Sequence, residues 1–377
     1  MKTFVKKILL IVNILLALFL SISYLSVNVS PANSWIFAFL ALAYPVILIL
    51  NILFVLWWLI FRKWYFLISV LSILLGWHAL QSTFQFHFSK PATGPSGQKI
   101  TVLTYNVRLF NYYHWNKDTS AWQRITSYIR TEKPDIVCFQ EFITLPGTSH
   151  DLENLKRRLK PLSYSHVYYT DHVKGKLNFG MATFSKYPII NKKMIDFEES
   201  LNGSMYSDIV AGHDTIRLFN CHLQSIRLRK EYNDLLDSLI FNYSDKHLHD
   251  LKDISVRMRQ AYIMRAGQVN KIRREIDASP YPVIVCGDFN DTPVSYAYKT
   301  MSKGLKDVFI HTGSGIGTTF RGNFPYVRID YVFCSPELTP VNHKIGKIKL
   351  SDHYPVKAGF VINEKAGSAD PHSRPTK

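Results

Sequence analysis

The sequence predicts an all-helical membrane region followed by a soluble domain that mixes helices and strands. Residues 1–98 contain no Asp or Glu and consist mostly of long apolar runs, which is the composition of membrane helices. From Lys99 onward, short apolar runs bounded by turn residues alternate with segments of helical periodicity. All 28 acidic residues lie in this second part, which is where we expect the chemistry.

Three apolar segments in the first part are long enough to cross a bilayer, which requires about 20 residues. They cover residues 8–27, 35–61 and 64–84, so residues 1–88 are predicted to be a transmembrane region of three helices. A cleaved signal peptide explains the first segment poorly, because its apolar run is too long and two more segments follow.

The basic residues of the short loops predict the orientation of this region. Three lysines precede the first segment, Arg62 and Lys63 separate the second from the third, and residues 28–34 carry no charge. Because basic loops remain in the cytoplasm, we predict an integral, multi-pass membrane protein. Its soluble domain should then lie on the extracytoplasmic side.

The soluble domain is predicted to span residues 99–363, between a linker and a tail. Residues 89–98 are rich in Pro, Gly and Ser, which is typical of a linker. Residues 364–377 have the composition of a disordered tail. The four cysteines sit in apolar runs without a C-x-x-C pair, which favours buried hydrophobic roles over a zinc or redox motif.

Six strands and two helices can be placed in the soluble domain. The helices cover residues 120–130 and 256–276, where apolar residues recur at helical spacing. The polar stretch 225–253 is interpreted as an insertion. Its His247 and His249 do not face each other on a helix, which disfavours a metal site there. The predicted strands are residues 100–106, 136–140, 180–184, 216–221, 283–286 and 329–334.

Nearly every predicted strand adjoins a polar residue that suits phosphate chemistry. Hydrolysis of a phosphate ester requires neutralised phosphoryl oxygens, an activated water and help for the leaving oxygen. Taken singly, each residue also fits a turn or a structural hydrogen bond. The net charge of +17 favours anionic partners, although the general solubility of a basic protein explains it equally well. The candidates are Asn106 and Arg108, Glu141, Asn220 and His222, Asp288 and Asn290, Asp330, and Asp352 with His353.

These side chains have complementary chemistry. A carboxylate such as Glu141 is a hard oxygen ligand suited to Mg²⁺ or Mn²⁺. Asp288 can take a proton from water, and an amide can orient a ligand without adding charge. A histidine beside an aspartate, as at Asp352 and His353, is fixed in its tautomer and held charged. Asp291, which precedes Thr-Pro, is interpreted as a turn residue.

The order of these motifs resembles the endonuclease/exonuclease/phosphatase superfamily, which includes deoxyribonuclease-type nucleases, abasic-site endonucleases, inositol polyphosphate phosphatases and neutral sphingomyelinases. The resemblance implies an α+β fold, a four-layer α/β/β/α sandwich in which two mixed sheets pack face to face. It covers residues 99–361 and excludes the membrane region. The matching motifs are TYNVR with Asn106, CFQE with Glu141, NCHL with His222, GDFND with Asp288 and Asn290, RIDYVF with Asp330, and SDHYP with Asp352 and His353.

The resemblance also implies a role for each matching residue. Glu141 binds the divalent metal, with Asn106 and Asp352 close by. Asp288 orients or deprotonates the attacking water. His353, paired with Asp330, stabilises or protonates the phosphoryl group, and Asn290 and His222 hold the phosphate oxygens. Asn220 and Arg108 lie next to these motifs in the sequence and are added as candidate phosphate-binding residues.

The predicted function is a membrane-anchored phosphoesterase that depends on Mg²⁺ or Mn²⁺. The substrate stays open between nucleic acid, a phospholipid or sphingolipid headgroup, and a phosphorylated metabolite. The abasic-site branch carries Asn where this chain has His222, which disfavours that activity. The alternative to an enzyme is a binding module that has the same fold but no catalytic activity. It is disfavoured because Glu141, Asp288 and His353 are all present. The oligomeric state is left open.

Overall fold

The computed structural model describes residues 3–87, 97–115, 119–173, 177–198, 200–226, 245–322 and 327–362. The predicted tail, most of the predicted linker and most of the polar stretch 225–253 lie outside the described residues, as do the side chains of His247 and His249. The described part comprises an N-terminal helical unit and a domain built on two sheets.

The N-terminal unit contains two long apolar helices and a bent third segment. Helix α1 (Thr3–Ser23) continues into a 3-10 turn (Tyr24–Val27), and α2 (Ile36–Ile60) follows. Both are long and apolar enough to cross a membrane. The third predicted helix is instead α3 (Phe66–Leu75) and α4 (Trp77–Thr83), bent by 76°, so it counts as a span only if the pair is taken together.

The bend in the third segment coincides with a close contact between Tyr24 and Gly76. A Cβ atom on Gly76 would lie 2.0 Å from Cζ of Tyr24, so only glycine lets the ring approach this closely. Tyr24 Oη also donates a hydrogen bond to the carbonyl of Ser72 at 3.1 Å. The prediction of one continuous helix missed this bend because the contact joins segments that are distant in the sequence.

Short and long strands form two mixed six-stranded sheets and one small ribbon. In chain order the strands are β1 (Phe84–Gln85), β2 (Lys99–Asn106), β3 (Ile136–Thr144), β4 (Tyr164–Val173), β5 (Leu177–Ser185), β6 (Ile189–Ile195), β7 (Ser204–Ala211), β8 (Asp214–His222), β9 (Val283–Asp288), β10 (Lys306–Asp307), β11 (Gly315–Ile316), β12 (Asp330–Cys334), β13 (Leu338–Ile345) and β14 (Val356–Ile362). One large sheet has the strand order β10-β12-β9-β8-β7-β6, and the other has the order β13-β14-β2-β3-β5-β4, with parallel pairing only at β8–β9 and β2–β3 among the described strands.

Helices cover the outer face of each large sheet, which confirms the predicted four-layer sandwich. Because side chains alternate along a strand, Val102 packs between the sheets with Cys286, whereas Leu103 packs against the helical layer with Ile125. The other sheet packs its outer face against Ile272 and its neighbours. The helices are α5 (Ala121–Glu132), α6 (Leu152–Arg158), α7 (Asp245–Asp277), α8 (Tyr296–Ser302) and α9 (Val308–Thr312).

All six predicted strands and both predicted helices are present, and the four cysteines are buried as expected. The prediction missed the longer strands β4, β6, β7, β13 and β14, and also the two-residue strands β1, β10 and β11. Of the longer ones, β4, β6 and β13 lie at sheet edges, where one side of the strand faces solvent and apolar periodicity is weak. Strand β6, with the sequence IINKKMI, is an example of such weak apolar periodicity, because its central residues are exposed.

The helical unit docks directly on the soluble domain. Strand β1, which directly follows α4, pairs with β11. Ser26 Oγ donates a hydrogen bond to the carbonyl of Val294 at 2.5 Å, and Arg328 Nη2 donates to the carbonyl of Ser82 at 2.6 Å. The two parts are therefore packed against each other, in addition to being joined through the predicted linker.

Candidate active site

Three predicted site residues lie side by side across neighbouring strands. His222 ends β8 and Asp288 ends β9, and the two are partners in the register of this parallel pair. Asp330 begins β12 and is the antiparallel partner of Asp288. Because an antiparallel strand begins where its neighbour ends, the topology brings all three residues to the same end of these neighbouring strands.

The chain turn after Asp288 fixes this carboxylate. Gly287 has φ 133°, and a Cβ atom there would lie 2.0 Å from the carbonyl oxygen of Cys221, so only glycine fits between β9 and β8. Asn290 has φ 52°, and its backbone N–H donates to Asp288 Oδ1 at 2.8 Å. The carboxylate is buried, with 1 % of its residue surface exposed.

The second sheet contributes Asn106 and Glu141. Asn106 Nδ2 donates to Asp288 Oδ2 at 2.9 Å and to Glu141 Oε1 at 3.2 Å, while its Oδ1 accepts from the backbone N–H of Arg108 at 3.1 Å. In this orientation Asn106 holds the two carboxylates together. Its oxygen, the atom that could bind the predicted metal, is engaged elsewhere.

Glu141 reaches the cluster from a bulge in β3. Its φ of 47° and the register shift between Phe139 and Phe142 interrupt the alternation of the strand. The side chain is 34 % exposed, in contrast to the buried Asp288. Glu141 is therefore the carboxylate of this pair that a ligand can reach from solvent.

His353 and Asp330 form a buried pair next to Asp288. His353 Nδ1 lies 2.9 Å from Asp330 Oδ2, and Nε2 lies 3.6 Å from Asp288 Oδ2. Burial opposes the charged imidazolium, but Asp330 and Asp288 outweigh it and raise the pKa of His353 well above its usual value. The imidazole is therefore held protonated between two acids.

Arg108 and Asp352 lie at the rim of the cluster. Arg108 Nε is 3.2 Å from Asp352 Oδ2, and both side chains are partly exposed. Ser351 Oγ donates to the carbonyl of Asn106 at 2.8 Å and so holds the Asp352–His353 segment against the end of β2. This rim could present a guanidinium to an anionic ligand.

His222 contacts one residue that the sequence prediction missed. Its Nε2 lies 3.8 Å from Asp288 Oδ2 and 2.9 Å from Nδ2 of Asn202. Asn202 is buried, and its only sequence signal is an N-x-[ST] sequon, which indicates a different role. The buried amide makes Asn202 a poor glycosylation site and a good support for His222.

Two predicted phosphate-binding asparagines have other partners. Asn220 is fully buried between the sheets, where its Oδ1 accepts from Gln140 Nε2 at 2.7 Å and its Nδ2 donates to the carbonyl of Ala182 at 3.1 Å. It therefore lies away from the cleft. Asn290 Nδ2 donates to the carbonyl of Leu223 at 2.9 Å and to Asp288 Oδ2 at 3.3 Å, so it supports the Asp288 carboxylate.

The site accumulates negative charge. Although the Glu141 side chain is partly exposed, its desolvation in the cleft and the nearby Asp352 raise its pKa to about 7, and full burial raises the pKa of Asp288. Ligand atoms of Asp288, Asp330 and His353 lie within 4.8 Å of one another, so this group could also hold a cation. We favour Glu141 as the cation ligand, because its carboxylate is accessible and His353 is already paired.

Supporting residues outside the motifs complete the site. Thr319 Oγ1 accepts from the backbone N–H of Asp330 at 3.0 Å, and the ring of Phe320 lies 5.2 Å from that of His353. Asp291, interpreted from the sequence as a turn residue, is instead buried and lies 3.4 Å from the buried guanidinium of Arg265. Sequence reasoning missed these contacts because no local pattern distinguishes their residues.

Comparison with known proteins places this site in a family context. The model of the endonuclease/exonuclease/phosphatase family matches residues 103–353, which cover the two-sheet domain and its site. Residues 6–83 match a domain of unknown function, DUF8431. No curated protein matches the sequence.

Solved structures share the fold at low sequence identity. A family protein from Bacteroides thetaiotaomicron has 18 % identity and a TM-score of 0.51, covering 72 % of this chain and 97 % of that one. A family protein from Beutenbergia cavernae has 18 % identity and a TM-score of 0.50, covering 71 % and 72 %. The catalytic domain of human Nocturnin with a bound sulfate anion has 16 % identity and a TM-score of 0.50, covering 70 % and 95 %.

Proposed function

The chain belongs to the endonuclease/exonuclease/phosphatase family, and we propose that it is a membrane-anchored phosphoesterase that hydrolyses a phosphate ester with Mg²⁺ or Mn²⁺. One observation carries this proposal. Asn106, Glu141, Asp288 and His353 come from four separate segments and meet within hydrogen-bond and ion-pair distances. A binding module that had lost catalysis would have no need for crowded carboxylates, since their mutual repulsion opposes folding.

The donor set fits a divalent cation. Glu141, with Asp352 nearby, would hold the ion through hard carboxylate oxygens. Bound there, the cation would offset the desolvation and the repulsion from Asp352 that together raise the pKa of Glu141. Such an ion supplies charge neutralisation at the phosphoryl oxygens and polarises the phosphorus–oxygen bond.

The protein side chains supply the proton chemistry. Asp288 would orient the attacking water and accept its proton, in a position fixed by Asn106 and Asn290. His353, kept protonated by Asp330, would donate a hydrogen bond or a proton to the phosphoryl group. His222 and Arg108 would contact the remaining phosphate oxygens.

Anchoring in the membrane is supported by the apolar helices α1 and α2. Lys6 Nζ lies 5.1 Å from the ring centroid of Tyr65, so the basic residues near the start of α1 and between α2 and α3 gather at one end of the unit. The soluble domain contacts the opposite end, through Ser26. We propose that the basic end is cytoplasmic and that the site faces the extracytoplasmic side.

A lipid-headgroup substrate is the second candidate within this function. Val294, six residues after the proposed base Asp288, packs against Leu20 and Tyr44 of the helical unit. The site is therefore held within roughly 20 Å of the apolar helices, since six residues extend no further than this. Nucleic acid remains supported by the basic charge of the chain.

A substrate panel tests the proposal. The full-length chain in detergent is incubated with Mg²⁺ or Mn²⁺ and single- and double-stranded DNA, sphingomyelin, phosphatidylinositol, inositol phosphates or a generic aryl phosphate diester. We expect hydrolysis of at least one class, loss of activity in chelator, and recovery on adding metal. Unchanged activity in chelator would refute metal dependence. No hydrolysis of any class would favour the binding module.

A further inference from the structure

A cavity of about 410 Å³ lies where the helical unit meets the soluble domain. We call it the junction cavity. Its walls come from the end of α1, the α3–α4 bend and the helices α8 and α9, and the residues that line it are separate from the proposed catalytic cluster. A cavity of this volume accommodates a small ligand or part of a larger one.

The junction cavity lies at the level where a membrane would meet its headgroups. The basic end of the unit is marked by Lys6 against Tyr65, and Gly76 packs against Tyr24 at the other end. The helical rise between Lys7 and Tyr24 is about 26 Å, close to the hydrocarbon thickness of about 30 Å. Helix α4 therefore lies near the membrane surface, with Trp77 half exposed as interfacial tryptophans are.

One wall of the junction cavity is apolar. Val27, Leu75 and Ala79 line it from the helical unit, and Val294 and Ile310 line it from the soluble domain. Leu75 is 71 % exposed, so this wall is open to the lipid environment that would surround the helices. Acyl methylenes suit such a wall better than water does.

The rim of the junction cavity carries positive charge. Lys299 and Lys306 both line it, and its one carboxylate, Asp307, is 2.8 Å from the buried guanidinium of Arg328. Lys306 Nζ donates to the carbonyls of Pro336 and Leu338, and it forms no ion pair with an acid of the described residues. His311 on the rim has a pKa lowered by burial and by Lys306, so it serves as a neutral hydrogen-bonding group.

We propose that the junction cavity binds one anionic phospholipid from the leaflet that faces the soluble domain. The acyl end would lie against Leu75 and Ala79, and the phosphate would lie against Lys299 and Lys306. An apolar wall beside a cationic rim at headgroup depth selects an anionic lipid over a zwitterionic one. This inference rests on the proposed membrane anchoring, and it is independent of the proposed hydrolysis.

Native mass spectrometry of the full-length chain in detergent tests this site, with phosphatidylglycerol and phosphatidylcholine of the same acyl chains as probes. We expect one tightly held phosphatidylglycerol and weaker retention of phosphatidylcholine. Lys299→Glu should weaken phosphatidylglycerol binding about fivefold or more, since one basic residue contributes on this scale. Lys303→Glu, which makes the same charge change just beyond the end of α8 and outside the cavity lining, should leave binding unchanged.

Ala79→Phe supplies a second, uncharged test by filling the apolar wall. We expect it to reduce phosphatidylglycerol retention while the unfolding temperature stays within the wild-type range. Equal retention of both lipids, or binding unaffected by both Lys299→Glu and Ala79→Phe, would overturn the proposal. Extraction of the chain from membranes by alkaline carbonate would instead contradict the proposed membrane anchoring. Hydrolysis of the substrate panel is a separate measurement, so a failure of the proposed activity is distinguished from a failure of lipid binding.

Discussion

At the scale of single residues, the site depends on how each carboxylate is supported. Asp288 is buried and receives hydrogen bonds from the Asn106 amide and the Asn290 backbone, whereas Glu141 remains accessible. The difference fits the two proposed roles, because a proton acceptor must be held in a fixed position, whereas a metal ligand must be reached by a cation. The neighbouring carboxylates of Asp330 and Asp288 favour the protonated form of His353.

Asp288→Asn should reduce turnover about 10³-fold, because it removes the proposed proton acceptor and keeps the shape of the side chain. The measurement is kcat on the best substrate of the panel. Asp214→Asn is the matched control, since Asp214 is exposed at the opposite end of the same sheet, at the start of β8. Near-normal turnover in Asp288→Asn would contradict the role of Asp288.

His353→Gln and Asp330→Asn should not be additive. Each should lower kcat about 10²-fold or more, and the double variant should be only slightly worse than either one, because Asp330 acts through the charge it holds on His353. The four-member cycle of kcat values measures this. Losses that multiply in the double variant would mean that the two residues act independently.

At the scale of elements, the close pairing of β8 and β9 sets the position of the site. The two strands are parallel neighbours, and Gly287 is the point where the backbone of β9 touches the carbonyl of Cys221. A side chain there would separate the strand ends that carry His222 and Asp288. The glycine of the GDFND motif thus has a packing function as well as a conformational one.

Gly287→Ala should destabilise the fold by about 3 kcal/mol or more, since it adds backbone overlap to an unfavourable φ. Gly304→Ala is the control, because Gly304 also has a positive φ of 71° but has open space around it. That control should cost only about 1 kcal/mol. Thermal unfolding of both variants measures the difference, and equal losses would show that the contact with Cys221 is unimportant.

At the scale of the whole molecule, the helical unit and the soluble domain behave as one packed structure. The buried Arg328 joins them, since it pairs with Asp307 at 2.8 Å and donates to the carbonyl of Ser82. Arg328 also lies two residues before Asp330 in the sequence. Loss of the helical unit would therefore affect a segment that leads into the site.

A fragment that begins at Gly97 should be less stable than the full chain in detergent. It would lack the β1–β11 pairing and the Ser26–Val294 hydrogen bond, and it would expose Val294 to water. We expect a lower unfolding temperature and a tendency to aggregate, measured by thermal scanning and light scattering. An unfolding temperature equal to that of the full chain would show that the helices act only as a tether.

The sequence by itself determined the broad organisation of this protein. Apolar length specified α1 and α2, strand-like runs specified six interior strands of the two sheets, and six ordered motifs identified the family and most of the cluster. These features are local, because hydrophobic periodicity and motif spacing are read within a short window. The edge strands, the interior strands β7 and β14, and the bend at Gly76 were not readable in this way.

Only the tertiary structure decided which polar residues face the cleft and how the two parts meet. Asn220 and His222 are two residues apart on one strand, yet Asn220 is held between the sheets, whereas His222 reaches the cluster. Asn202 and Thr319 support the site through contacts with segments distant in the sequence. Such contacts depend on strand register and sheet packing, which no single stretch of the sequence specifies.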